Sequence, residues 1–249
     1  MKDIVVLERI LVDHGRIVDH KTVSSYFAGL SNINNKISNL IEKGWLVNLK
    51  KGVYYISKMG SLGYAATSNY ILANAIGEKS FISFEAALKY HGMFDQGLKR
   101  YRSISLKQYL SKELEEIEYS YIMVKEDNYF GSNEESVEGG MVRIASKERA
   151  LLDLVEYQRT LHSVIIVIEK LQDFKDDLDI DILVNYLNNY SQVTIKTFGL
   201  IFDALHIDSS RIESLVRSNT STSKLLETSD KFNRKWRLYF DSILEQQII

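Results

Sequence analysis

SNINNKISNLIEKGWLVNLKKGVYYI, Ser31 to Ile56, changes its hydrophobic period at Gly44. Before that glycine, Ile33, Ile37, Leu40 and Ile41 recur at i, i+4, i+7 and i+8, the stripe of a helix that buries one side. After it, Trp45-Leu-Val-Asn-Leu49 and Val53-Tyr-Tyr-Ile56 are β-rich runs separated by Lys50-Lys51-Gly52, which reads as a hairpin. Ser31 is the expected N-cap of the helix, and Gly44 its expected left-handed C-terminal residue.

Upstream, Ile4, Leu7, Ile10 and Leu11 predict a helix over 3–14 that stops at Gly15. Asp19 is placed to cap a second helix with Val23, Tyr26 and Phe27 inward, and Gly29-Leu30 makes the turn into the third. Three helices followed by a hairpin predict a winged helix-turn-helix over residues 1–58.

With the isoleucines buried, the third helix is expected to expose Asn34, Asn35, Lys36, Ser38 and Asn39. Carboxamides bond adenine through N6 and N7, and serine bonds several bases, so this surface suits a DNA major groove. Ser31 starts the same surface. Lys50 and Lys51 at the hairpin tip, with Lys21 at the start of the second helix, suit phosphate oxygens, which set register and affinity without reading sequence. Winged helices also serve as protein-interaction modules, so the exposed face alone leaves the partner open.

The charge distribution points the same way. Residues 1–58 hold nine Lys and Arg against five Asp and Glu, while the remaining residues hold twenty-two against twenty-eight. A basic end on an acidic body places a nucleic-acid surface at the N-terminus. The chain has no cysteine, which excludes disulfides, thiolate zinc sites and cysteine nucleophiles and agrees with a reducing cytoplasm. No apolar run approaches the ~20 residues a membrane span needs, and no basic-then-apolar leader opens the sequence. A cytoplasmic chain without membrane association is expected.

Residues 62–157 are expected to form a mixed α/β middle domain. It would hold helices over 62–76 and from Ser83 to His91, strands at 102–106, 119–124 and 141–145, a loop over 125–140, and a helix over 147–157. Residues 158–249 are expected to be mainly helical, with helices at 161–173, 179–190, 194–205 and 209–217 and a closing strand at 236–240. Residues 62–249 as a single domain is the open alternative, and the boundary with the first domain is expected at 57–61. The expected class is α+β, predominantly helical.

Catalytic patterns are sparse. No GxxxxGK[ST] loop occurs, and Gly139-Gly140 precedes a strand rather than a phosphate-binding helix. The five histidines, at 14, 20, 91, 162 and 206, lack metal-ligand spacing, so no metal or cofactor is expected. Asp177, Asp179 and Asp181 alternate in the manner of a cation site, but Ile182 stands where a calcium loop needs glycine, so a helix-capping role is expected. His91 reads as a helix-end histidine held by backbone. Ser221-Thr-Ser-Lys224 matches SxxK without its companion motifs. Arg149 and Asp153, four apart, read as a surface pair on a helix. Lys231, Arg234, Lys235 and Arg237 form a candidate second basic patch.

Seven segments in order resemble the AbiEi-type antitoxins of bacterial abortive-infection, type IV toxin–antitoxin systems. They are Leu40-Ile-Glu-Lys-Gly-Trp-Leu46, Lys51-Gly-Val-Tyr-Tyr-Ile56, Ile71-Leu-Ala-Asn74, Phe81-Ile-Ser-Phe-Glu-Ala-Ala-Leu88, His91-Gly92, Arg143-Ile-Ala-Ser-Lys-Glu-Arg-Ala-Leu-Leu-Asp153 and Lys235-Trp-Arg-Leu238. The resemblance implies a non-enzymatic antitoxin that represses its own operon by binding inverted repeats. It also implies that the C-terminal part counteracts a cognate nucleotidyltransferase toxin, with or without direct contact. Residues 158–230 fit the resemblance least. Two other classes remain at this stage. One is a ligand-responsive winged-helix regulator with an effector pocket around Tyr90 and His91, and the other is a nucleic-acid-modifying enzyme using Asp179 and Asp181.

Overall fold

The structure, a computed structural model, describes residues 3–29, 31–57 and 67–248. They fall into two units, Met1–Glu78 with Val137–Gly140, and Lys79–Ser136 with Met141–Ile249. Helix and strand are both abundant, and the chain is an α+β protein.

In the first unit, helix α1 (Asp3–His14) buries Val6, Leu7, Ile10 and Leu11. It ends where Gly15 turns left-handed at φ +77°, with its N–H on Leu11 O at 3.0 Å. A three-residue strand β1 (Ile17–Asp19) follows, which the sequence reading did not contain. Asp19 caps α2 (His20–Tyr26) as expected, its carboxylate accepting the Thr22 N–H at 2.7 Å.

Helix α3 (Ile33–Glu42) is capped by Asn32 rather than Ser31. The Asn32 oxygen accepts the Asn35 N–H at 3.0 Å, one residue later than the expected cap, and Ser31 stays exposed outside the helix. At the other end Gly44 (φ +69°) donates to Ile41 O and Trp45 donates to Leu40 O, the paired bonds of a left-handed helix terminus. Strands β2 (Leu46–Lys50) and β3 (Val53–Ile56) form the hairpin, with an irregularity between Asn48 and Lys50. The antiparallel sheet runs β1-β3-β2, with Ile17 opposite Tyr55. Leu7, Ile10, Val23, Leu40, Leu46 and Ile56, drawn from helices and hairpin, are sealed in one core. Helix α4 (Asn69–Ile76) is capped by Ser68, so Thr67 and Ser68 lie outside the helix expected over 62–76; residues 62–66, and most of the boundary expected at 57–61, lie outside the described residues.

The second unit is built on a six-stranded mixed sheet. Its strands are β4 (Ser80–Ile82), β5 (Arg100–Ser105), β6 (Lys112–Leu114), β7 (Ile117–Met123), β8 (Ser132–Val137) and β9 (Gly140–Ala145), in the order β6-β7-β5-β4-β9-β8. Pairs β4/β9 and β5/β7 are parallel. The loop expected over 125–140 holds β8 instead. That strand is polar because it is the sheet edge, where side chains stay wet and no apolar alternation is required.

Helix α5 (Phe84–Tyr90) lies between β4 and β5 in the chain, and α6 (Lys147–Asp153) follows β9 and passes into a π turn over Leu154–Gln158. Helices α7 (Leu161–Asp173), α8 (Ile180–Leu187), α9 (Gln192–Ala204) and α10 (Ser210–Val216) match the four expected. The region beyond 158 is not helical throughout. Strands β10 (Ser223–Lys224), β11 (Lys231–Asn233) and β12 (Leu238–Phe240) make a small sheet before α11 (Ile243–Ile248). Trp236 precedes the closing strand rather than starting it and is buried against Gly199. Among the described residues, no helix is long and apolar enough to cross a membrane.

Candidate nucleic-acid interface

Helical periodicity sorts the polar residues of α3 around its buried stripe of Ile37 and Leu40. Asn35, Ser38 and Asn39 lie opposite the stripe and are exposed, as is Glu42, an acid on the same face that the sequence reading passed over. Asn34 and Lys36 flank the stripe on its two sides.

Lys36 is turned inward, contrary to expectation. Its side chain is 24% exposed, its ammonium forms an ion pair with Asp3 at the start of α1, and it stands 5.6 Å from the Phe27 ring centre. Lys43, two turns along, approaches Asp3 at 3.6 Å from the same side. The Lys36 hydrogen bond, aided by the Lys43 charge, holds the Asp3 carboxyl below its usual value. Seven residues apart, these lysines fall on the side of α3 that meets α1, and there they brace the helix.

Asn34 is exposed at the opposite flank, and its Oδ1 stands 3.0 Å from Nε2 of His20. The His20 Nδ1 lies 3.2 Å from the Ser24 hydroxyl, and the His20 backbone N–H donates to Gly52 O at 2.8 Å. His20 thus ties the start of α2, the β2–β3 turn and α3 into one surface. The sequence carried no signal for it, because a histidine after a helix cap looks like any surface residue.

At the hairpin, Lys51 sits in the exposed turn with Gly52 at φ +76°. Lys50 is a strand residue, 25% exposed, paired with Glu78 at 2.5 Å. Lys21 is exposed at the start of α2. The outward face therefore gathers Ser31, Asn34, Asn35, Ser38 and Asn39 with Lys21 and Lys51, while Lys36 and Lys50 are engaged elsewhere.

The other candidate groups resolve into structural roles. Asp179 caps α8 through the Ile182 N–H at 2.9 Å, and Asp181 pairs with Arg211. His91 Nε2 donates to Ala145 O at 2.8 Å, and the Tyr90 hydroxyl donates to Glu135. Ser221 turns to Asn219 and Lys224 to Glu227 O, so the SxxK residues do not meet. Lys231 pairs with Glu245 and Lys235 with Asp203, so two of the four cations of the C-terminal basic group are engaged in ion pairs.

The expected surface pair Arg149–Asp153 is instead buried, the two side chains 1% and 0% exposed. Spacing of four places both on one face of α6, and that face meets the interior of the second unit. Asp153 also accepts from Ser83 at 2.6 Å and from Tyr190 at 2.8 Å. Burial, then the Asp153 charge, push the Tyr190 hydroxyl well above its ordinary range, so it stays a donor.

These features describe an α+β protein whose first unit presents an exposed amide-rich helix face beside a basic turn. The chain is similar in fold to a protein of known structure, the RV2827C protein from Mycobacterium tuberculosis. The TM-score is 0.67 over 98% of this chain and 92% of that one, at 13% sequence identity. No family model matches the chain, and no curated protein matches it either.

Proposed function

We propose that the first unit is a winged helix-turn-helix that binds duplex DNA, with α3 as the recognition helix and the β2–β3 turn as the wing. The observation that carries this reading is the outward row of Asn35, Ser38 and Asn39 on a helix whose other side is locked into a core. A helix about 10–12 Å across fits a major groove about 12 Å wide. Amides and hydroxyls are the groups that read base edges there, and Lys21 and Lys51 sit at the margins where phosphates run. Lys36 braces α3 against α1 in this arrangement and does not touch DNA.

On this reading the chain is a cytoplasmic DNA-binding antitoxin of the AbiEi type. It represses its own operon at an inverted repeat, two copies per site, and counteracts a cognate nucleotidyltransferase toxin without being an enzyme itself. Support comes from the ordered motifs in the sequence and from where they fall. Phe81–Leu88 and Arg143–Asp153 supply Ser83, Arg149 and Asp153, which meet in one buried network, so these motifs encode the interior of the second unit.

The experiment is a reporter driven by the DNA upstream of the native gene, with growth measured beside the neighbouring toxin gene. The full chain is expected to repress the reporter and restore growth, and N35A/S38A/N39A to lose repression while still restoring growth. A chain that does neither overturns the proposal.

A further inference from the structure

We propose that the outer face of the β10-β12-β11 sheet is a second nucleic-acid surface, one that takes an unpaired strand. Its bases stack on Phe232 and Tyr239, and Arg234 and Arg237 meet its phosphates. The inference is independent of duplex reading by α3.

Strand register sorts the side chains. Tyr239 on β12 lies opposite Phe232 on β11 and opposite Lys224 on β10, so these three share one face. Leu238 and Phe240, on either side of Tyr239, are buried, so the shared face is the outer one. The Phe232 and Tyr239 ring centres stand 4.8 Å apart, and the two residues are 44% and 40% exposed. Cross-strand pairing accounts for their contact with each other. It does not account for two aromatic surfaces left in water beside a row of cations.

Those cations sit in the β11–β12 turn, residues 234–237. Trp236 pins the turn: its Nε1 donates to Asp203 at 2.7 Å and its backbone N–H to Asn233 Oδ1 at 3.0 Å. Arg237, at φ +50°, is held through its C=O, which accepts from the Ser223 N–H at 2.9 Å. Arg234 and Arg237 are exposed, and among the described residues neither is paired with a carboxylate. Lys196 of α9 is fully buried and donates to Ser221 O at 2.7 Å and Ser223 Oγ at 3.1 Å, again without a carboxylate. Burial, then the Arg237 charge, hold its ammonium below the usual lysine value. This end of the sheet therefore carries positive charge that an anion relieves.

The two features together select the partner. A duplex keeps its base faces inside the stack, whereas a single strand presents them to aromatic rings. An acidic peptide would satisfy the arginines and leave the rings idle. Every base has a face to stack, so the binding is expected to tolerate sequence.

The test is fluorescence anisotropy of a labelled twelve-nucleotide oligothymidylate with the full chain, over a series of salt concentrations. Binding is expected at low salt. F232A and Y239A are each expected to weaken it about tenfold, and Y239F to keep it, because the ring face remains. R234A/R237A is expected to make the salt dependence shallower, by about 0.7 in slope for each lost phosphate contact, which a purely structural role would not do. N35A/S38A/N39A is expected to bind as the wild type does. No binding at low salt, binding unaffected by F232A and Y239A, or an unchanged slope in R234A/R237A overturns the inference. Binding lost in N35A/S38A/N39A places the strand on α3 and overturns it too.

Discussion

Arg149 and Asp153 form an ion pair sealed inside the second unit, with Arg149 Nε 3.0 Å from Asp153 Oδ2. Three donors, from Arg149, Ser83 and Tyr190, converge on the carboxylate. The guanidinium lies 4.4 Å from the Phe130 ring centre and 5.3 Å from that of Tyr190. The pair joins the start of α5, α6 and the segment after α8, so it ties elements that are distant in sequence.

Removing one partner strands the other charge without water. Asp153→Ala is expected to destabilise the second unit by about 3–5 kcal/mol, measured by urea unfolding. The double replacement Arg149→Met, Asp153→Leu is expected to cost less than Asp153→Ala alone, because it leaves no buried charge. Independent, additive losses would mean that the two side chains do not act as a pair.

Gly199 tests the packing of the C-terminal segment. A Cβ there would lie 2.3–2.5 Å from three atoms of the Trp236 ring. That ring is buried and anchored by its Nε1 donating to Asp203 at 2.7 Å, so it has little room to move. Gly199→Ala gains about 1 kcal/mol of helix propensity but is expected to lose more to overpacking. A lowered melting temperature is the predicted outcome; an unchanged or raised one would show that the ring relaxes freely.

Asp3 gives the first unit an acid-sensitive brace. Its folded-state pKa is depressed, chiefly by the Lys36 hydrogen bond. The brace therefore contributes stability above the unfolded carboxylate value and loses it as pH falls through the lower folded value. Asp3→Asn is expected to be less stable than wild type at neutral pH, with the gap closing on acidification. Unfolding measured across that range checks it, and a gap independent of pH would contradict the assignment.

The lysines separate bracing from the proposed DNA contact. Lys51→Ala is expected to weaken binding to all duplexes and to reduce the salt slope by about one unit. Lys36→Ala is expected to leave the slope unchanged and to lower the stability of the first unit, because its ammonium is spent on Asp3. The reverse pattern would put Lys36 at the phosphates.

What the sequence disclosed and what it hid follow from range. The stripe of α3, the left-handed Gly44, the Asp19 cap and the β2–β3 hairpin are local, and periodicity or residue type sufficed for each. Strand β1 has three residues and exists through its pairing with β3, more than thirty positions away. Strand β8 is a polar edge that lacks the alternation of a half-buried strand. The spacing of Arg149 and Asp153 correctly put them on one face of α6 but could not say that this face is covered. Within the candidate interface, the exposed amides of α3 were legible from its stripe. Lys36 was not, because its place depends on where Asp3 of α1 lies, nor was His20, whose partner Asn34 is fourteen positions away.

The proposed reading of duplex DNA through α3 can be checked by a binding titration of the full chain against the DNA upstream of the native gene, beside an unrelated duplex, at two salt concentrations. Selective binding to the upstream DNA that weakens with salt is expected, with selectivity lost in N35A/S38A/N39A. Equal weak binding to both duplexes, or selectivity that survives those substitutions, would contradict it.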